Sequence, residues 1–230
     1  MNPEIIVMLT HNDVTVSNAR QLFAESAELP VKYWGFKDNG LSFVELGNLA
    51  KDMRDAGKSA VLEVVNFDER DLLKSMELAV KTGIEYFTGG AFSQQALAQA
   101  KEVGMKYYPF CGKAGGSPIE LRGSHQSVID DAKRLIDFGV DGVDLVAYRY
   151  KDGDPIELAK AAIDGVGAEN LVIAGSINSR ERMEIMNAVG PFAYTMGGAL
   201  FDGSFVPDGS FYENLKFVTE LKDSLGVVAS

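Results

Sequence analysis

Short apolar segments rich in β-branched and aromatic residues alternate with longer amphipathic segments along the whole chain. The short segments have the length of buried parallel strands. The longer ones repeat apolar residues at helical spacing and carry charges on the opposite face. This alternation predicts βα units and a parallel sheet. Eight strands are predicted, over residues 5–10, 31–36, 59–65, 86–88, 106–110, 142–147, 171–174 and 192–196.

Glycines mark the predicted ends of the helices. Five of them follow a helical segment and lie just before or near a strand, where a left-handed residue closes a helix: Gly57, Gly83, Gly104, Gly139 and Gly190. Eight units in 230 residues leave almost no room for a second domain. We therefore predict one (β/α)8 TIM barrel over residues 1–230, beginning at residue 4 and closing near residue 225, rather than an open doubly wound sheet.

Charge and composition exclude several classes of function. The chain has 33 acidic and 22 basic residues, a net charge of -11, which disfavours binding to nucleic acid or to an anionic membrane. A single cysteine excludes an internal disulfide framework, and two histidines are too few for a three-histidine zinc site. Without a basic leader or a long apolar run, we expect a cytoplasmic protein that does not span a membrane.

Two loops of small residues follow the seventh and eighth predicted strands. They are Ala-Gly-Ser-Ile-Asn-Ser over residues 174–179 and Met-Gly-Gly-Ala-Leu over residues 196–200. Glycine lets backbone N–H groups approach a phosphate, and a helix start adds partial positive charge. Phosphate sites of this barrel often lie after strands seven and eight. We therefore predict a phosphate site at Gly175, Ser176, Gly197 and Gly198, with tight turns that bind nothing as the alternative.

These loops resemble those of the ribulose-phosphate-binding barrel superfamily, which includes histidine- and tryptophan-pathway enzymes, sugar-phosphate epimerases and keto-acid aldolases. Ser176 stands where that superfamily has a second glycine. The resemblance implies a small phosphorylated metabolite as ligand and a role in carbohydrate metabolism.

Two narrower similarities point to different functions. Residues 29–37, Leu-Pro-Val-Lys-Tyr-Trp-Gly-Phe-Lys, look like the strand that ends in the catalytic lysine of N-acetylmannosamine-6-phosphate epimerases. That similarity implies Lys37 as a general base. Residues 56–64, with Thr88-Gly89-Gly90, are similar to glycerol-phosphate-responsive antiterminators. The similarity to the antiterminators implies a protein that senses a phosphorylated metabolite and catalyses no reaction.

Polar residues at the carboxyl ends of the predicted strands supply candidate chemistry, because active sites of this barrel lie at that end. The candidate catalytic residues are Lys37, Glu63, Asn66, Asp144 and Arg149. Lys37 and Glu63 lie on adjacent strands and are expected to form an acid–base pair. Asn66 or Arg149 would stabilise the oxyanion that proton transfer produces. Alternatively, Lys37 or Lys113 forms a Schiff base with a keto substrate, which requires a lowered lysine pKa. A buried salt-bridge network of Lys37, Glu63 and Asp144 is the structural alternative.

The longest irregular segment, residues 111–125, follows strand five. Such loops are functional or mobile, so Lys113 and His125 are candidate substrate or lid contacts, with a disordered surface loop as the alternative. No protein-held metal site is expected, although Mg²⁺ held by Asp13 or Asp68 together with a substrate phosphate stays open. The apolar segment 201–209 is compatible with a homo-oligomer contact.

The sequence thus leads to two hypotheses. The first is an enzyme that acts on a small phosphorylated sugar or keto acid without a redox cofactor. Its chemistry would be of the isomerase, epimerase or lyase (aldolase or decarboxylase) type, through an enediolate or a Schiff base. The second is a sensor of phosphorylated metabolites that binds its ligand without turnover.

Overall fold

Eight parallel strands form one sheet in the computed structural model of the chain, which describes residues 2–228. They are β1 Glu4–Met8, β2 Tyr33–Lys37, β3 Ser59–Val64, β4 Tyr86–Gly89, β5 Lys106–Tyr108, β6 Val143–Leu145, β7 Leu171–Ile173 and β8 Ala193–Met196. The hydrogen-bonded order is β6–β7–β8–β1–β2–β3–β4–β5. Neighbours in this order follow each other in the sequence, as βα units require, except β8 and β1, which join the two ends of the chain.

The sheet closes between its two outer strands, β5 and β6. Phe110, two residues beyond β5, forms a parallel bridge with Asp144 of β6, and Asp144 N donates to Pro109 O at 2.9 Å. The (β/α)8 barrel predicted from the sequence is therefore confirmed. The predicted fifth strand ran to residue 110, but β5 ends at Tyr108 because Pro109 has no N–H for the ladder.

Helices surround the barrel and bury their apolar faces against it. They are α1 Ala19–Ser26, α2 Phe43–Asp55, α3 Glu69–Thr82, α4 Gln94–Val103, α5 His125–Phe138, α6 Pro155–Val166, α7 Arg180–Val189, α8 Gly198–Phe201 and α9 Phe211–Val228. Four predicted glycines end helices in the left-handed conformation: Gly83, Gly104, Gly139 and Gly190. Gly57 lies one residue past its helix cap. Within residues 2–228, no helix is long and apolar enough to cross a bilayer.

Two other predicted strands also end two residues earlier than expected. The first was predicted over residues 5–10, but β1 ends at Met8, and Thr10–His11 instead pairs with Val14–Thr15 in an antiparallel hairpin. The sixth was predicted over residues 142–147, but β6 ends at Leu145, and Ala147–Arg149 forms a 3-10 turn. In both places the chain leaves the sheet to form a structure over the barrel mouth.

The predicted irregular segment after strand five contains ordered structure. Lys113–Gly115 pairs with Glu120–Arg122 in an antiparallel hairpin. The segment is anchored by Ile119 and Leu121, which are buried. The alternative of a disordered loop is therefore wrong for this segment.

The barrel interior is apolar at one end and charged at the other. Strand residues alternate between the two faces of the sheet, so Tyr33, Gly35 and Lys37 of β2 share the inner face. In the register of β2 with β3, Gly35 pairs with Val61 and Lys37 pairs with Glu63. The amino-terminal end is filled by packed aromatic rings: Tyr33, Tyr86, Tyr108 and Phe192. The charged residues therefore lie at the carboxyl-terminal mouth.

Gly142 provides a test of packing at the apolar end. A Cβ atom there would overlap the Asn170 carbonyl oxygen and the ring of Tyr108. Because backbone must move to relieve this overlap, G142A is expected to lower the free energy of unfolding by about 1–3 kcal/mol. Denaturant unfolding measures the change. The control G115A introduces a Cβ with nothing within 4 Å, and an equal loss in both variants would contradict the packing.

Candidate functional site

A two-residue turn places Asp13 over the barrel mouth. Asn12 and Asp13 join the hairpin strands with φ of 51° and 62°. A type I′ turn requires this conformation at both central residues, and Asn and Asp tolerate it. The hairpin is attached to β2, because Thr15 Oγ1 accepts from Lys37 N and donates to Lys37 O, both at 2.9 Å. Asp13 is thereby held next to the end of β2.

A chain of ion pairs crosses the mouth from β3 to the turn after β6. Lys37 Nζ lies 2.7 Å from Asp13 Oδ1 and 3.5 Å from Glu63 Oε1. On the other side, Arg149 Nη1 lies 3.3 Å from Asp13 Oδ2. The Lys37 and Glu63 side chains are 7% and 8% exposed, so these charges interact with little screening by water. Asp13 connects the two cations.

The ion pairs determine the charge states at the centre. Burial lowers the pKa of Lys37, but Glu63 and Asp13 outweigh it and raise this pKa above its ordinary value. For the carboxyl group of Asp13 the signs are reversed. Burial raises its pKa, but the positive charges of Lys37 and Arg149 outweigh burial and lower this pKa below its ordinary value. Lys37 is therefore a stable cation and Asp13 a stable anion at neutral pH.

Asp144 lies in the barrel interior and differs from the other two carboxyl groups. It is completely buried, and neither of its carboxyl oxygens has a hydrogen-bond partner among the described residues. Burial raises its pKa well above the ordinary value, and the negative charge of Glu63 raises it further, while Lys37 partly opposes this. Because Asp144 pairs with no cation of residues 2–228, of the salt-bridge network predicted for Lys37, Glu63 and Asp144 only the Lys37–Glu63 pair forms.

The ion pairs form one side of a cavity of about 320 Å³. Its lining includes Lys37, Glu63 and Arg149 of the predicted catalytic set, and all four predicted phosphate residues, Gly175, Ser176, Gly197 and Gly198. The two small-residue loops and the Lys37–Glu63 pair therefore face the same space. The cavity is large enough for a small metabolite.

The loop after β7 keeps a left-handed backbone where the superfamily has two glycines. Gly175 has a φ of 89°, and Ser176 has a φ of 60° although it is not glycine. A Cβ at Gly175 would lie 3.4 Å from Arg149 Cγ, an ordinary van der Waals contact, so it is the positive φ that favours glycine here. The loop leads directly into α7, because its last residue, Ser179, caps that helix by accepting from Arg182 N.

The loop after β8 starts the short helix α8. Gly197 lies against Thr10, because a Cβ there would be 2.9 Å from the Thr10 carbonyl oxygen, whereas a Cβ on Gly198 would meet nothing closer than 3.7 Å. No backbone carbonyl of residues 2–228 accepts from the N–H groups of Ser176, Gly198 or Ala199. Three unpaired backbone donors therefore lie on these two loops beside the cavity, the arrangement that binds anions.

Besides the buried Asp144, three predicted site residues do not line this cavity. Asn66 is exposed beyond β3, and Lys113 is exposed on the hairpin after β5. His125 begins α5, with its ring 5.4 Å from that of Tyr150. None of the three lines the cavity. The contact from this part of the chain comes instead from Ile119.

Sequence reasoning considered Asp13 only as a possible Mg²⁺ ligand, and placed neither Asp13 nor His11 among the candidate catalytic residues. His11 lines the cavity with its Nε2 2.8 Å from Asp202 Oδ1 and its ring stacked on Phe201. The signal for Asp13 was the Asn-Asp pair directly after strand one, since this dipeptide suits a two-residue hairpin turn. A hairpin at that place would have directed Asp13 over the mouth.

Within residues 2–228, no group of three or more His, Cys, Asp or Glu side chains is arranged to hold a metal ion. Of the two carboxylates considered for Mg²⁺, Asp68 caps α3 by accepting from Arg70 N and Asp71 N. Asp13 is already paired with two cations. Asp68 does not line the cavity.

Comparison with known proteins identifies the fold. No protein-family model matches the chain, and no curated protein matches it by sequence. The solved N-acetylmannosamine-6-phosphate 2-epimerase of Clostridium perfringens is 13% identical, with a TM-score of 0.63 over 85% of this chain and 86% of that one. A mutant tryptophan synthase α-subunit from Pyrococcus furiosus is 13% identical, with a TM-score of 0.65 over 98% and 99%.

A regulatory protein shares the same architecture. The glycerol uptake operon antiterminator regulatory protein of Listeria monocytogenes is 16% identical, with a TM-score of 0.59 over 86% of this chain and 93% of that one. Enzymes and a regulator therefore have the same barrel. At these identities the likeness establishes the fold alone.

The raised pKa of Asp144 makes the free energy of unfolding depend on pH in a defined direction. Its folded-state pKa is raised, so the unfolded chain loses this proton first, near pH 4. Stability then falls as the pH rises from about 4 to the folded-state pKa, by at most about 1.4 kcal/mol per pH unit. D144N removes this loss, so its stability advantage over the unchanged protein is expected to grow with pH.

Urea unfolding of both proteins between pH 4 and pH 8 measures this difference. D137N, at an exposed position on α5, is the control and is expected to show no growing advantage. A constant difference between D144N and the unchanged protein over this range would show that Asp144 is ionised when folded.

Proposed function

We propose that the protein is an enzyme that binds a small phosphorylated carbonyl compound, a sugar or a keto acid, and transfers a proton next to its carbonyl group. The observation that carries this proposal is the Lys37–Glu63 pair facing the same cavity as two loops with unpaired backbone N–H groups. One part of the cavity suits an anion, and the other suits proton transfer.

The phosphate is assigned to the loops after β7 and β8. Backbone N–H groups at Ser176, Gly198 and Ala199 supply donors without a charged side chain, which suits an acidic protein. Binding the phosphate there would hold the rest of the substrate over the ion pairs. Such positioning makes proton transfer effectively intramolecular.

Glu63 and Lys37 have opposite roles in the proposed chemistry. Glu63 is the base that takes the proton from the carbon next to the carbonyl group. Lys37 keeps its proton because its pKa is raised, so its ammonium group stabilises the oxygen of the resulting enediolate. Returning the proton to the neighbouring carbon gives an isomer, and returning it to the other face gives an epimer.

The raised pKa of Lys37 argues against the lyase branch that uses a Schiff base. A lysine nucleophile has to lose its proton, which a neighbouring cation or an apolar pocket promotes. Lys37 has two carboxylates beside it instead. The resemblance to the epimerase strand implied that Lys37 is a general base. For the same reason, we do not assign that role to Lys37. Lys113, the other lysine considered, lies away from the cavity.

A sensor function is the second candidate, supported by the shared fold of the Listeria regulatory protein. A sensor would bind the same phosphorylated ligand at the same loops. It would not exchange protons on carbon, which makes the two functions separable by experiment.

The phosphate assignment is tested at Gly198. A side chain there fits the fold, since the nearest atom to an added Cβ is 3.7 Å away. G198D places a carboxylate beside the unpaired N–H groups and is expected to weaken binding of inorganic phosphate at least about tenfold by repulsion. Isothermal titration calorimetry measures the affinity. The control is G198N, which adds a side chain of the same shape as in G198D but without the charge. Equal phosphate affinities of G198D and the unchanged protein would exclude this site.

The chemistry is tested by deuterium exchange. The unchanged protein is incubated in D₂O with aldose and ketose phosphates. We expect it to catalyse deuterium incorporation into the sugar phosphate, at the carbon next to the carbonyl group, and mass spectrometry detects the added deuterium. E63Q removes the base and is expected to slow incorporation by about 10²–10⁴-fold while ligand binding persists. E102Q, exposed on α4, is the control. Binding without deuterium incorporation by the unchanged protein would favour the sensor.

A further inference from the structure

The charges that line the mouth are already balanced without a ligand. Among the described residues of the lining, the lysine and arginine side chains are Lys37 and Arg149. Asp13 contacts both, and Glu63 also contacts Lys37. These two cations therefore face two carboxylates, and the centre of the cavity has no surplus positive charge.

Asp13 is fixed in this position by its backbone. Its carbonyl oxygen accepts from Asn39 Nδ2 at 3.2 Å, and the hairpin that carries it is bonded to both backbone polar atoms of Lys37 through Thr15. Its carboxylate is three-quarters buried, with 25% of the side chain exposed. A ligand that displaced Asp13 would have to break these contacts.

A second anionic group on the substrate would therefore meet paired cations and two carboxylates. A carboxylate in this place would be repelled by Asp13 and Glu63 and would lose hydration without gaining a free cation. Hydroxyl groups have the opposite fit, because carboxylate oxygens accept hydrogen bonds from them.

We propose that Asp13 is a specificity-determining residue that restricts the substrate to a phosphorylated sugar whose far end is uncharged, and excludes phosphorylated acids. This inference rests on the proposed function, since it assigns the phosphate to the loops after β7 and β8. It selects the sugar from the two substrate classes, sugar and keto acid. The substrate's negative charge is then confined to the phosphate.

The test compares ligands that differ only at the far end. Aldose phosphates of three to six carbons are paired with the aldonate phosphates of the same chain, such as glucose 6-phosphate with 6-phosphogluconate. Isothermal titration calorimetry on the unchanged protein is expected to give at least one pair in which the aldose phosphate binds about tenfold or more tightly than its aldonate. If no aldose phosphate binds better than its partner, the proposal is overturned.

The D13N variant tests the cause of the preference. It keeps the shape of the turn residue but releases one positive charge at Lys37 and Arg149, so the aldonate is expected to gain affinity and the preference to shrink or reverse. D202N is the matched control, because Asp202 also lines the cavity but is paired with His11. An unchanged ratio in D13N, or an equal change in D202N, would contradict the role of Asp13.

Failure of this inference can be told apart from failure of the proposed function. If the aldose and aldonate phosphates bind equally and G198D abolishes binding of both, the phosphate site stands and the role of Asp13 falls. If neither the sugar phosphates nor inorganic phosphate binds, the phosphate site is wrong and the specificity proposal falls with it.

Discussion

The buried ammonium group of Lys37 is the constraint on which the arrangement of the mouth depends. A charge that is 7% exposed is costly unless anions surround it. Glu63 provides one anion from the adjacent strand, and the hairpin after β1 provides the other by carrying Asp13 over the barrel. Arg149 then pairs with the outer side of Asp13. The same contacts that satisfy Lys37 therefore build one wall of the cavity and set its charge.

Most of the fold could be predicted because buried parallel strands and amphipathic helices have distinct periodicities. The errors occur where the chain leaves the sheet, at residues 9–10, 109–110 and 146–147. Pro109 ends β5, and at the other two places buried residues continue after strand pairing has ended. Val146 and Ala147, for example, are buried although β6 has ended. Local pattern does not distinguish a buried strand residue from a buried turn residue.

Contacts in the site were predictable to the extent that they follow strand order. Lys37 and Glu63 are brought together by the register of neighbouring strands, and the two small-residue loops by the succession of β7 and β8. The contact of Asp13 with Arg149 joins residues 136 positions apart, across the mouth, so it depends on closure of the barrel and on the turn. Lys113 and His125 lie in a segment whose hairpin directs them away from the cavity.

A crystal structure of the protein with the aldose phosphate that binds most tightly would show directly where the substrate lies. We expect the phosphate within hydrogen-bond distance of the N–H groups of Ser176 and Gly198, with the carbonyl end of the sugar next to Lys37 and Glu63. A phosphate bound elsewhere, or a sugar whose carbonyl end points away from Lys37, would contradict this placement.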